Sequence, residues 1–123
     1  MSIWGLLPVV AVAFVAFLHL AFFVLESFLW TKPAGRRIFG LTPELAESTK
    51  SLAANQGVYN AFLAAGLIWS FFAREGSFEI KIFFLSCVIV AGIVGAITAK
   101  RSILFVQAFP GAIALLLVVM MQR

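Results

Sequence analysis

The feature that most constrains this chain is its first apolar run, which extends from Ile3 to Trp30 and contains His19 and Glu26 as its ionisable residues. A helix of about 20 predominantly apolar residues is long enough to cross a bilayer. The first positive charge follows this run, at Lys32, and the run exceeds the apolar region of a signal peptide, which is about 7–15 residues long. We therefore expect a retained membrane-spanning helix.

The composition of the whole chain also indicates a membrane protein. Of its 123 residues, 63% are hydrophobic and 11% are charged, whereas soluble domains are nearer half apolar and a quarter charged. The net charge of +4 would suggest nucleic acid, but the basic residues lie at the ends of apolar runs, where topology signals occur. We predict one multi-pass domain, residues 1–123, whose partner is the lipid bilayer and not nucleic acid.

Residues that disfavour helices divide the chain into four predicted helices. We expect an all-α, four-transmembrane-helix bundle with spans at about 3–30, 53–73, 82–99 and 103–121. The second helix should begin earlier, at about residue 43, because Thr42 is a good N-cap and Pro43 suits the first helical position.

Two stretches are predicted to interrupt the helices. Residues 31–41 read as a basic connector broken by Pro33, Gly35 and Gly40. Pro110 lacks a backbone donor and should bend the fourth helix near Gln107.

The placement of lysine and arginine predicts the topology. In a four-span arrangement, one side of the membrane carries six basic residues and the side of the termini carries three. Basic connectors favour the cytoplasm, so we expect the termini outside, in a bacterial inner membrane. The six are Lys32, Arg36, Arg37, Lys50, Lys100 and Arg101, and the three are Arg74, Lys81 and Arg123.

A polar block lies inside the second predicted span. The stretch Ala53 to Leu67 is apolar overall, yet it carries two asparagines, a glutamine and a tyrosine within six positions. Each unpaired amide in hydrocarbon costs several kcal/mol, roughly, so these groups need partners in the bundle, a cavity or a ligand.

Counting residues from the ends of the predicted helices places Glu26 at a similar depth in the membrane to several of these groups. Glu26 lies about five residues, or about 7 Å, from the cytoplasmic end of the first helix, and Gln56, Asn60 and Gln107 lie at similar depth. An ionisable group within a span is a functional candidate by default, so Glu26 is the candidate catalytic or cation-binding residue. The candidate ligand-binding residues are His19, Asn55, Gln56, Tyr59, Asn60, Gln107, Lys100 and Arg101.

The alternative is that these polar groups only hold helices together, contributing about 0.6 kcal/mol each on average. One histidine and one span-embedded glutamate are too few for a protein metal site, so no metal is predicted. The sequence names no cofactor, and it leaves open whether the protein is an enzyme.

Two ridges of small residues predict close helix packing. Residues with small side chains recur every four positions on the second and third helices, which lets backbones approach closely. We expect a homo-oligomer that uses at least one ridge. The ridges are Ala53, Gly57, Ala61 and Ala65, and Cys87, Ala91, Gly95 and Ala99.

Four motifs along nearly the whole chain carry a family resemblance. They are H-x6-E from His19 to Glu26 with a following FLW, then ANQGVYNAFLAAGL, AGIVGAITAK and QAFPGAIALLL. Together they resemble the small bacterial integral membrane family named domain of unknown function 1304. The resemblance implies four helices and brings no assigned activity.

The layout also looks, more distantly, like the eicosanoid and glutathione metabolism membrane proteins. That resemblance implies four helices, trimers, and glutathione bound between subunits for reaction with lipophilic substrates. The second helix of that family carries R-x3-N-x2-E; aligned on Asn55, the motif finds Ser51 at the arginine position and Val58 at the acidic position.

Three functions follow from these observations. The first is a small inner-membrane protein that binds or modifies a small lipophilic molecule in a cytoplasm-facing polar cavity. The second is a small proton-coupled transporter with Glu26 as the exchange site, similar to the small multidrug resistance exporters. The third is a membrane scaffold subunit without chemistry of its own.

Overall fold

The computed structural model describes residues 2–122, which form five α-helices and no strand. Arg123, which the charge count above includes, lies outside the described residues. The prediction of an all-α chain is confirmed. A 3-10 turn at Ile3–Gly5 precedes α1 (Leu6–Ser27), followed by α2 (Pro33–Phe39), α3 (Pro43–Phe72), α4 (Ser77–Thr98), a π-helical segment at Leu104–Ala108, and α5 (Phe109–Gln122).

Three segments within residues 2–122 are long and apolar enough to cross a membrane, namely Ile3–Ser27, Ser77–Thr98 and Leu104–Gln122. By length and composition, the chain is therefore a multi-pass membrane protein. The second predicted span, residues 53–73, lies in α3, whose 30 residues extend about 45 Å at 1.5 Å per residue. Its amides and charged first turns lower its mean hydropathy, so the four-span arrangement stays a prediction.

The connector after α1 differs from the prediction. The first helix ends at Ser27 instead of Trp30, and residues 31–41 contain α2 instead of irregular chain. Pro33 begins this helix, because the amide hydrogen it lacks has no intrahelical partner at that position. Pro33 and Gly35 were therefore wrongly predicted as breakers. Gly40 ends α2 in the left-handed conformation, with φ of 67°.

The start of α3 is confirmed. The Leu45 amide donates a hydrogen bond to Thr42 Oγ1 at 3.1 Å, and Pro43 is the first helical residue. This side chain satisfies one of the donors that every helix leaves without an intrahelical partner at its N-terminus.

The described chain divides into two compact units, one formed by residues 2–18 and 63–122, the other by residues 19–62. In the first unit, four helices contribute to one apolar core, which removes these side chains from solvent and lipid alike. The core residues are Val12, Val15 and Ala16 of α1, Leu67 of α3, Leu85 and Val88 of α4, and Ala114 and Val118 of α5.

A close approach between helical backbones in this unit lies beside the predicted ridge. A Cβ atom at Gly92 would lie 2.6 Å from the Ala108 backbone nitrogen, so α4 and the π-helical segment are in backbone contact. Ala91 and Ala99 of the ridge are exposed. The π-helical segment coincides with the predicted bend near Gln107, and it ends with the Phe109 amide bonded to the Leu104 carbonyl.

Lys81 is the buried cation of this unit. It is 8% exposed, and its Nζ donates to Gln122 Oε1 at 2.9 Å while lying 5.7 Å from the centre of the Phe71 ring. The amide oxygen and the aromatic face replace part of the lost hydration of the ammonium group. Lys81 therefore links the end of α3 to α4 and α5.

Candidate ligand-binding site

The second unit, residues 19–62, contains the end of α1, the whole of α2 and the first part of α3. Gly57 allows α1 and α3 to meet here, since a Cβ atom at this position would overlap the Ser27 hydroxyl and lie 3.1 Å from the Phe23 carbonyl oxygen. The Ser27 hydroxyl donates to the Ala54 carbonyl oxygen at 3.0 Å. One member of the predicted ridge thus packs inside the chain.

One turn along this seam, Asn60 meets Glu26. The Asn60 Nδ2 amide donates to Glu26 Oε1 at 2.5 Å, and both side chains are half-buried. An ionised carboxylate has about four acceptor positions on its two oxygens, so this contact uses a fraction of what Glu26 can accept. The sequence predicted equal depth for these residues, and the structure places them in contact.

Trp30 forms a second link between the helices of this unit. Its indole Nε1 donates to Thr49 Oγ1 of α3 at 2.9 Å, and its ring centre lies 4.8 Å from that of Phe39 in α2. Thr49 Oγ1 donates in turn to the Leu45 carbonyl oxygen at 2.7 Å. Trp30 therefore holds α2 and α3 against the chain that follows α1.

A groove whose wall is about equally polar and apolar lies along one side of Glu26 and Trp30. Its volume is about 240 Å³. The two ionisable side chains in its wall are Glu26 from α1 and Lys50 from α3. The remaining lining residues are Ser27, Phe28, Trp30, Thr31, Ser51 and Ala54.

A second groove of about 240 Å³, with a largely apolar wall, also includes Glu26 and Trp30. Glu26 is the one ionisable side chain in this second wall. The remaining lining residues are Leu41, Leu45, Thr49, Leu52, Ala53 and Gln56. We call the first the polar groove and the second the apolar groove.

Glu26 and Trp30 belong to both walls, so the two grooves share these side chains. Such a pair of surfaces can hold a molecule with a hydrocarbon part and a polar part, because each part meets a wall of suitable character. Among the described residues, Glu26 forms an ion pair with no lysine or arginine.

The other predicted site residues of this unit do not line both grooves. Gln56 is exposed and lines the apolar groove. Asn55 is exposed, and Tyr59 is 54% exposed with its ring 6.2 Å from that of Phe62. His19 is fully buried, edge-on to Phe22 at 5.7 Å between ring centres.

Three predicted site residues belong to the first unit. Gln107 is half-buried within the π-helical segment, and Lys100 and Arg101 are exposed in the connector before it. Thr98, at the end of α4, is exposed and donates to the Val94 carbonyl oxygen of its own helix. The similar depth of Glu26, Gln56, Asn60 and Gln107 in the membrane stays a prediction.

Sequence reasoning missed Trp30, Thr49 and Ser51 as site residues. Tryptophan is common at membrane interfaces, so Trp30 at the end of the first apolar run did not stand out as a site residue. The sequence did contain a hint of this contact. The indole N–H of a half-buried tryptophan needs an acceptor, and Thr49 carries a hydroxyl group on the second predicted helix. Within the described residues, no group of three His, Cys, Asp or Glu side chains could hold a metal ion.

Comparison with known proteins identifies the family. Residues 13–119 match the family described as Protein of unknown function (DUF1304). The chain is also 31% identical over 94 residues to Uncharacterized protein YpaA of Lactococcus lactis subsp. lactis (strain IL1403), a match that covers 75% of this chain and 76% of that protein. No solved structure matches the chain. The comparisons do not show the distant resemblance to the eicosanoid and glutathione metabolism proteins. The chain belongs to the DUF1304 family.

Proposed function

We propose that this protein binds a small amphiphilic molecule, with its hydrocarbon part in the apolar groove and its polar end at Glu26. The observation that carries the proposal is the position of Glu26, which lies in the walls of both grooves. A carboxyl group within a membrane span is costly unless something pairs with it or uses it. A bound polar group would be such a partner.

The structure supports this role because the protein supplies Glu26 with limited compensation. The Asn60 amide donates to one carboxylate oxygen, and the described residues offer it no ion pair. The free-energy cost of burying a carboxylate falls when its remaining acceptor positions are filled. A ligand group that donates hydrogen bonds or carries positive charge would fill them.

The grooves suit a molecule that arrives from the membrane. In the proposed topology α3 contains the second of four spans, the termini lie outside, and Lys32, Arg36 and Arg37 lie on the cytoplasmic side of a bacterial inner membrane. The grooves then lie where lipid tails meet head groups, and the apolar groove is reached without passing through water. We propose a homo-oligomer as the assembly.

A transporter would use the same carboxylate, and a scaffold would need neither groove. The three functions differ in whether binding is saturable and whether it depends on Glu26. Saturable binding separates the first two from the scaffold, and movement of the ligand across a vesicle membrane separates the transporter from a binding protein.

The test uses Trp30 as a reporter of the grooves. Replacing Trp4 and Trp69 with phenylalanine leaves Trp30 as the one tryptophan; both replaced residues are exposed. The protein in maltoside micelles is titrated with bromodecanol that carries its bromine near the polar end of the chain, since bromine quenches a tryptophan that it contacts. We expect saturable quenching of Trp30.

The control protein retains Trp4 and carries phenylalanine at positions 30 and 69. It should show the non-saturable quenching of a tryptophan that faces the micelle. The same linear, unsaturated quenching for Trp30 would contradict the proposed function, provided that thermal melting shows both proteins folded.

A further inference from the structure

We infer that the polar end of the bound amphiphile is zwitterionic, with an ammonium group at Glu26 and an anionic group at Lys50, an inference that rests on the proposed function. The two charges in the wall of the polar groove carry it. Glu26 comes from α1 and Lys50 from α3, and the same groove contacts both.

A head group of a single charge fits this wall poorly. A cation at Glu26 would share the groove with the Lys50 ammonium, and like charges at short range repel. An anion at Lys50 would likewise share it with the Glu26 carboxylate. A head group that carries both charges can place each one beside its opposite, which is the charge complementarity that favours a partner.

The partner that Lys50 has now is one that it can exchange. Lys50 forms an ion pair with Glu47, three residues earlier on the same helix, and the two side chains are 56% and 63% exposed. An exposed pair of this kind contributes little, about 0–1 kcal/mol. A ligand anion in the groove can therefore replace Glu47 at small cost.

The neighbouring side chains suit the same head group. Trp30 lines the same groove as Glu26, and the face of an indole ring attracts ammonium groups. Thr31 and Ser51 add hydroxyl groups along the wall, which can donate to the oxygens of a sulfonate, a phosphate or a carboxylate. The adjoining apolar groove accounts for the hydrocarbon chain.

The test compares three brominated ligands that share one ten-carbon chain: bromodecanol, bromodecyltrimethylammonium and a bromodecyl sulfobetaine, in which the ammonium group adjoins the chain and the sulfonate is distal. Each is titrated into the protein that has Trp30 as its one tryptophan. We expect the zwitterion to bind about tenfold more tightly than the alcohol, which corresponds to about 1.4 kcal/mol. Glu26→Gln should abolish the preference for the zwitterion over the alcohol.

Lys50→Gln should affect the binding affinities of the two charged ligands differently. It should weaken binding of the zwitterion about tenfold and should leave binding of the cation unchanged or stronger. Arg37→Gln is the matched control, because it also removes one positive charge, and Arg37 is exposed in the same unit and lines neither groove. It should change neither affinity.

The outcomes separate this inference from the proposed function. Equal effects of Lys50→Gln and Arg37→Gln on the zwitterion would overturn the inference, as would equal affinities of the alcohol and the zwitterion, while saturable quenching by the alcohol would preserve the proposed function. Absence of saturation with all three ligands would overturn both. Free 3-(trimethylammonio)propanesulfonate that displaces the probe as well as the decyl sulfobetaine does would assign the polar groove to a soluble zwitterion and overturn the amphiphile.

Discussion

The Asn60 amide of α3 and the Glu26 carboxylate of α1 are hydrogen-bonded, with 2.5 Å between Nδ2 and Oε1. The two residues are 34 positions apart in the chain, so the bond joins the end of α1 to α3 across the segment that contains α2. Glu26 also lines both grooves. The contribution of this pair to stability can therefore be measured separately from the contribution of Glu26 to binding.

We expect Asn60→Leu to lower the free energy of unfolding by about 1 kcal/mol, because hydrogen bonds between membrane helices contribute about 0.6 kcal/mol on average and about 1.7 kcal/mol at most. Glu26→Gln keeps an acceptor oxygen and should cost less. A double-mutant cycle by reversible unfolding in mixed micelles measures the coupling of the pair. Strictly additive effects would show that the contact contributes nothing to stability.

Thr49→Val should destabilise the protein by about 1 kcal/mol, since it leaves the Trp30 indole N–H without its acceptor. Thr98→Val is the matched control, because the Thr98 hydroxyl is exposed and bonds to its own helix. The measurement is the unfolding free energy of each variant. Equal losses for the two variants would contradict the role assigned to Trp30.

Gly57→Leu should prevent the α1–α3 seam from forming, because the added side chain would overlap the Ser27 hydroxyl. Ala65→Leu, on the same predicted ridge but exposed, should leave folding intact. Thermal melting and subunit counting by native mass spectrometry measure both effects. A folded Gly57→Leu protein with wild-type melting would rule out the close approach. A change in subunit number with Ala65→Leu alone would place that end of the ridge between subunits.

Cysteine labelling in whole cells tests the topology. In a Cys87→Ser background, we expect a membrane-impermeant reagent to label Glu75→Cys and not Arg37→Cys; both native side chains are exposed. Arg37 is a better position than Gly35, where a Cβ atom would overlap the Leu29 carbonyl oxygen. The reverse labelling pattern would invert the orientation and place the grooves on the outer side.

Local chemistry made part of the fold predictable. Thr42 and Pro43 determine the start of α3 through a capping side chain and a fixed φ angle, both of which are visible in the sequence. Counting residues from the helix ends placed Glu26 and Asn60 at one depth. Their contact follows once α1 and α3 are packed together.

The end of α1 could not be predicted in the same way. No glycine or proline lies between Ser27 and Lys32, yet the helix ends at Ser27 and the amides of Phe28 and Leu29 both bond to the Val24 carbonyl oxygen. The early end brings Trp30 to Thr49 and Phe39. These contacts involve residues distant in sequence, so the apolar pattern alone does not predict them. The grooves depend on the same packing.

Native mass spectrometry of the protein and of its Glu26→Gln variant tests the central claim most directly. The substitution keeps the size of the side chain and removes its charge, and thermal melting verifies that the variant is folded. We predict that the wild-type protein, released from mild detergent, carries a bound amphiphile that adds a constant mass and that the folded variant has lost it. A folded Glu26→Gln protein that retains the same bound mass, or a wild-type protein that carries none, would contradict the account.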